Sequence, residues 1–316
     1  MSGAFAGGLR RAGGWLGRVF LRPPLPLLAL EVRPQAVAAV RLAEAHGRLS
    51  LAAAACTELP PGVVEVSLTR SNVLETASLQ AAMRASLERV GALSAATVSL
   101  VLPDPAVRLV LIPGEGVRGR ARDAEETVRF RLHKALPFDV RSARVTWRAA
   151  GDQVLVAVAP EEVLAGYEAA VEALGYRPGL VEPAGLALTD ALASSSTAGD
   201  RLLVNWDTGY VSFVLLRQQV PVLVRTLPGE SSPDAVARQA AGTLRFHQER
   251  LAGVALEEVV VRSAALPGEE AVALLGRALG TAPRLLEPWA ALGIEEQGEA
   301  AQAVAGAAAS ALRRAA

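Results

Sequence analysis

The stretch VNWDTGYVSFVLL, residues 204–216, places Asp207, Thr208 and Gly209 between two apolar runs. Aspartate and glycine both favour turns, so a tight connection between two strands accounts for them. The same residues suit a phosphate-facing hairpin, where glycine lets the backbone approach a nucleotide and the aspartate sits near its metal ion. A lone Asp-x-Gly does not choose between the two.

The rest of the sequence offers little catalytic equipment. Lys134 is the only lysine, so no G-x-x-x-x-G-K-[ST] phosphate loop exists, and its charged helical setting suits a surface residue better than a Schiff base. Cys56 is the only cysteine, which excludes an intramolecular disulfide and a thiolate cluster and agrees with a reducing compartment. His46, His133 and His247 stand far apart. None has a second histidine or cysteine at ligand spacing, so zinc is not expected. No Ser-His-Asp order, carboxylate pair or cofactor fingerprint stands out.

The chain has 316 residues, 51% of them hydrophobic and 20% charged, which fits a folded protein of about two domains. Lys+Arg and Asp+Glu are equal at 32 each. No net charge therefore steers the chain to nucleic acid. No segment reaches the ~20 uncharged apolar residues of a membrane-spanning helix. Residues 1–26 read as a basic, flexible leader in which Arg10, Arg11, Trp15, Arg18, Phe20 and Arg22 could rest on an anionic membrane surface. It lacks the features of a secretory signal.

The elements that must position these residues follow from pattern. Strands are expected at 27–32, 36–42 and 48–56, the first two flanking Arg33, Pro34 and Gln35. A helix over 72–92 carries Leu74, Leu79, Met83, Leu87 and Val90 near helical spacing. Strands at 96–102 and 106–112 and a charged helix over 119–136, stopped by Pro137, come next. Strands at 143–149 and 153–159 precede a helix opened by Pro160 as a first-turn proline and closed at Gly175. The flexible segment SSSTAGD, 194–200, separates two halves. The second half begins as the first did, with strands at 201–207, 210–217 and 220–227. A helix at 232–251, a strand at 257–262, a helix at 268–279 and an alanine-rich closing helix follow. Two halves that each open on a three-stranded meander imply a duplicated α/β fold.

In this plan the chain resembles the PilM family, actin-like proteins of type IV pilus assembly related to FtsA. The resemblance is carried by LPFDV (136–140) at the end of EETVRFRLHKALPFDV, by LLVNWDTGYVSFVLLRQQVPVLVRTLPGE, by LRFHQER, by EEVVVRSAALPG through LEPWAALGI, and by VAGAAASALRR. It covers about residues 27–314 and rests on order and spacing. It implies an actin-like, ribonuclease H-like fold with a first half at 27–198, an inserted partner-binding subdomain at about 104–172 and a second half at 199–316.

The resemblance also implies a nucleotide site on two phosphate hairpins and an adenosine loop. The second hairpin keeps Asp207, Thr208 and Gly209. In the first, Glu31, Val32 and Arg33 stand where the family has Asp-x-Gly, and Pro34 lacks a donor N–H. Arg33 is too bulky for the glycine's role, unless it touches a phosphate itself. Ser263 and Ala264 replace the paired glycines of the adenosine loop. The expectation is a degenerate site, weak or absent ATP and Mg²⁺ binding, and a pseudo-ATPase rather than an enzyme. The implied function is that of a cytoplasmic scaffold, peripheral to the inner membrane, which binds the tail of a PilN-like membrane protein. Leu136, Pro137 and Phe138 are the expected organisers of that groove, or else the end of a helix and the cap of a core. Self-association into rings or filaments is left open. An active actin-like ATPase and a type II secretion L-like domain are the alternatives.

Overall fold

Alternation along the strands decides which side chains meet. In β1 (Leu28–Arg33), Leu28, Leu30 and Val32 enter one core and Ala29 another, so Glu31 and Arg33 share the face of Ala29. In β9 (Asp200–Asp207), Leu202, Val204 and Trp206 enter a third core, leaving Leu203, Asn205 and Asp207 on the opposite face. In β12 (Leu256–Ser263), Val259 and Val261 join that third core, and Val260 and Arg262 point the other way. Charged groups from separated strands are thereby turned toward one another.

The structure, a computed structural model, describes residues 26–93, 96–117, 121–192, 199–251, 254–294 and 298–313. The leader up to residue 25, with its expected membrane contact at 10–22, lies outside the described residues, as does 194–198 of the expected boundary.

One five-stranded sheet has the order β3-β2-β1-β4-β8, formed by β1, β2 (Ala36–Ala45), β3 (Arg48–Glu58), β4 (Thr97–Leu102) and β8 (Arg177–Pro183). The other has the order β11-β10-β9-β12-β13, with β10 (Tyr210–Arg217), β11 (Val220–Pro228) and β13 (Arg284–Leu285). In each, an antiparallel meander is extended by two parallel strands. The duplicated α/β plan is therefore present in the sheet order.

The helices form layers. On the outer face of the first sheet lie α1 (Thr76–Arg89) and α3 (Glu161–Glu172), which bury Leu79, Met83, Leu87, Val163 and Tyr167. On the outer face of the second lie α5 (Pro233–Arg250) and α6 (Gly268–Leu279). Between the sheets sit α4 (Ala184–Ala191) and, beyond the short α7 (Glu299–Ala303), α8 (Ala305–Leu312). Helix α8 gives Ala307, Ala308 and Ala311 to the first sheet and Ala305 and Ala309 to the second. Alanine on every side lets both sheets come close. Sequence order groups this helix with the second half, yet much of its packing is on the first sheet.

A third, antiparallel sheet has the order β5-β7-β6, from β5 (Arg108–Pro113), β6 (Ala143–Ala150) and β7 (Gln153–Pro160). Helix α2 (Ala121–Leu132) covers one face through Ala124, Val128 and Leu132 on Val154, Val156 and Val158.

Two departures from the sequence reading matter. Pro160 stands one residue before α3, extended at φ −56° and ψ 139°, and Glu161 and Glu162 occupy the first turn. Strand β8 and helix α4 fill 177–191, where the sequence predicted no element.

Candidate functional site

The ends of β1, β9 and β12 converge between the sheets. Arg33 donates from Nε to Asp207 Oδ2 at 2.8 Å and from Nη2 to Oδ1 at 3.2 Å. Arg262 donates from Nη1 to Asp207 Oδ2 at 2.7 Å and to Asn205 Oδ1 at 3.0 Å, and from Nη2 to Glu31 Oε1 at 3.0 Å. The Thr208 N–H donates to Asp207 Oδ1 at 2.8 Å. Each oxygen of Asp207 thus carries two donors. The Ala307 N–H, in the first turn of α8, completes Glu31 through Oε2 at 3.1 Å.

The exchange is reciprocal. Strand β1 contributes a carboxylate and a guanidinium, β9 and β12 contribute the same pair, and each guanidinium crosses to the other sheet's carboxylate. Glu31, Asp207 and Arg262 are fully buried and Arg33 is 7% exposed. Burial of charge on this scale is tolerated only when the groups are paired and hydrogen-bonded.

Asp104, in the turn after β4, lengthens the cluster. Its Oδ2 accepts from Asn205 Nδ2 at 2.8 Å and its Oδ1 from the Gly185 N–H at 2.6 Å. The fit is close: a Cβ on Gly185 would lie 2.9 Å from the Asp104 carboxylate, and one on Gly306 would lie 2.5 Å from that of Glu31.

Burial pushes Asp207 up, but Arg33 and Arg262 together overcome it and hold the carboxyl below the ordinary range. Burial wins at Glu31, which is raised despite Arg262 and Arg33, and at Asp104, raised despite the Gly185 N–H.

The hairpins that deliver these groups turn differently. Between β9 and β10, Thr208 and Gly209 form a two-residue turn with Gly209 at φ +81°, a left-handed value that favours glycine. Between β1 and β2, Pro34 and Gln35 turn without a positive φ. The loop after β12 is tight. Ser263 Oγ donates to the Leu266 carbonyl at 2.8 Å, the Ala264 N–H donates to the Trp206 carbonyl at 2.9 Å, and the Ala264 carbonyl accepts from Arg33 Nη2 at 3.3 Å.

Sheet order, layering and converging hairpins can now be set beside known structures. The chain is similar to a PilM-PilN type IV pilus biogenesis complex, at 21% identity and a TM-score of 0.74, over 92% of this chain and 100% of that one. It is also similar to a Bacteroides thetaiotaomicron protein of actin-like ATPase fold and unknown function, at 9% identity and a TM-score of 0.52, over 88% and 94%. The chain has the actin-like ATPase fold. No protein-family model matches it, and neither does any curated protein.

In this actin-like fold the residues expected at the nucleotide, Arg33, Asp207, Thr208, Gly209 and Ser263, come together where the ends of β1, β9 and β12 meet. Arg262, Glu31, Asn205 and Asp104 join them without having been singled out as its partners. Arg262 follows VVV and Glu31 sits inside LALEVR. A charge enclosed by apolar strand residues is the signal that could have exposed both.

Leu136, Pro137 and Phe138 lie elsewhere. Leu136 and Phe138 pack against the α2 core of the third sheet, and Pro137 is exposed. The other face of that sheet turns to α4, where Thr146, Arg148, Leu155, Ala157 and Leu186 line a hollow of about 120 Å³ that Trp147 also borders. Arg148, which borders it, lies 4.0 Å from Asp190, a carboxylate that also pairs with Arg313. A larger hollow of about 590 Å³, bordered by Leu244, His247, Leu256, Leu279 and Thr281, shares no residue with the ionic cluster. His247 is buried there against Asp200 at 2.8 Å. Lys134, His46 and His133 are exposed, and Cys56 is half-buried.

Among the described residues no helix is long and apolar enough to cross a membrane. Nor, among them, is any group of three His, Cys, Asp or Glu side chains placed to hold a metal ion.

Proposed function

We propose that this protein is a non-catalytic adaptor of a type IV pilus or related secretion platform, which binds the cytoplasmic tail of a PilN-like inner-membrane protein and works from the cytoplasmic side. The observation that carries the non-catalytic part is the state of Asp207. Both of its oxygens are taken by Arg33, Arg262 and the Thr208 N–H. A Mg²⁺-bound nucleotide needs that carboxylate free and needs open N–H groups in the turn facing it. Pro34 has no N–H to give and Arg33 fills the space, so the residues present do not fit the ligand.

The adaptor part is supported by the likeness in fold to a PilM-PilN complex along the whole of that chain. It is supported also by the hollow of about 120 Å³ between the third sheet and α4, where Leu155, Ala157 and Leu186 offer an apolar pocket for one side chain of an extended peptide.

Two titrations test the reading. ATP with Mg²⁺ should give no binding heat; micromolar binding abolished by Asp207→Ala would overturn the closed site. A synthetic PilN tail peptide should bind, and Leu186→Asp should weaken it at least about tenfold by placing a charge in an apolar wall. Binding that survives Leu186→Asp but fails with Phe138→Asp would move the contact to the Leu136–Phe138 face.

A further inference from the structure

Helix α4 stands between the peptide cleft and the ionic cluster. Leu186 borders the hollow proposed to take the peptide. Gly185, one residue earlier, is tied to Asp104. From there an unbroken path runs through Asn205 at 2.8 Å, Arg262 at 3.0 Å and Asp207 at 2.7 Å to Arg33 at 2.8 Å. Every donor and acceptor on this path is buried.

Ala187 and Leu188 anchor the helix in the core between the sheets, and the path holds its N-terminus. With eight residues it is too short to be stable alone. Pro183, at its N-cap, supplies no side-chain hydrogen bond. The Asp104 carboxylate, 81 positions away in sequence, does the work of the missing cap by accepting from Gly185. Asp104 is itself held by Asn205, whose amide is oriented by Arg262. The Gly185 site has no slack, because a Cβ there would already strike Asp104.

We propose that the Arg33–Asp207 exchange is a latch that fixes the N-terminus of α4, so that the state of the cleft between the hairpins sets the shape of the peptide groove. When the latch is closed, α4 is capped and the groove is preformed. When it is broken, Asp207 is left to Arg262 alone, the hold of Arg262 on Asn205 and Asp104 loosens, and α4 frays more readily from its first turn beside Leu186. The coupling is reciprocal: whatever orders α4 from the groove side tightens the contacts at Asp207. The groove's role rests on the adaptor reading above, whereas the coupling to α4 is carried by the hydrogen-bonded path itself.

Hydrogen–deuterium exchange of the full chain without ligand tests it. Arg33→Met should speed exchange of the amides at 185–191 by about tenfold or more, with α1 unchanged as the internal control. Gly185→Ala, at the opposite end of the path, should speed exchange of the Thr208 amide that rests on Asp207. Faster exchange confined to each variant's own end, with no effect at the other, would overturn the latch. If Arg33→Met does not fold, Arg33→Lys is read by the same criterion, since it keeps the charge and loses the two-point contact.

Discussion

The two hairpins occupy equivalent places in the two halves and have taken opposite routes. The β9–β10 hairpin keeps a small, left-handed turn at Gly209 and an aspartate at its base. The β1–β2 hairpin replaces that combination with Arg33 and Pro34, and extends its side chain into the space the other leaves open. Alone, the second hairpin reads as a ligand site. Paired with the first, it reads as half of an internal salt bridge. A motif therefore states only what one strand offers, and the facing strand decides how it is used.

The largest test of this comparison separates the hub of the cluster from its rim. Arg262→Leu strands buried Glu31 and removes one of the two guanidiniums on Asp207, so unfolding stability should fall by about 3–5 kcal/mol. Arg33→Met leaves Asp207 with Arg262 and acts at a residue 7% exposed, so the loss should be nearer about 2 kcal/mol. Urea denaturation of both variants checks the order. Equal losses would break the distinction.

A second test uses proton binding. Asp207 is held low in the fold, so its contribution is complete above the ordinary carboxylate value and is lost as the pH falls through its lower folded value. Glu31 and Asp104 are raised, so each costs stability above its folded value, and that cost is relieved as the pH falls toward the ordinary one. Stability should therefore rise on mild acidification and fall steeply below roughly pH 4, where carboxylates ordinarily titrate. Denaturation profiles across pH measure both limbs, and Asp207→Asn should flatten the acid limb while leaving the rise.

The smallest effects belong to the turns. Gly209→Ala meets no atom within 4 Å, so its cost is backbone strain alone, about 1 kcal/mol. Pro34→Ala only restores freedom to the unfolded chain and should cost about 0.5 kcal/mol. Thermal unfolding of the pair would sharpen the contrast, and a larger loss at Pro34 would reverse it.

Strands announced by alternation and closed by turn residues were legible in the sequence: both meanders match their predicted spans to within a few residues. Strand β8 and helix α4 were not, because Pro178, Gly179, Pro183 and Gly185 punctuate them like a loop. Their glycines answer to tertiary neighbours instead. A Cβ on Gly179 would lie 2.3 Å from the Thr97 side chain, and Gly185 makes room for Asp104. The site was half legible for a related reason. Asp207 stood out as a kept motif residue and Arg33 as a departure from one, whereas their meeting spans 174 positions, which no local pattern reports. Leu136 and Phe138 were visible as an aromatic-proline end to a helix over 119–136, but the helix ends at Leu132, and only the core under it shows which face of the third sheet they join.

Helix α8 has a consequence for how the chain is made. Glu31 lies near the beginning of the first sheet, and the backbone group that completes it, the Ala307 N–H, follows 276 positions later. During synthesis the first meander leaves the ribosome long before α8 does, with Ala29, Ala38 and Val40 uncovered and a charged glutamate among them. That inner face must wait in water or in the hands of a chaperone until 305–312 emerge. A nascent chain arrested near residue 300 should therefore be open to proteases in its earliest strands, and completion of a few alanine-rich turns should close both halves together.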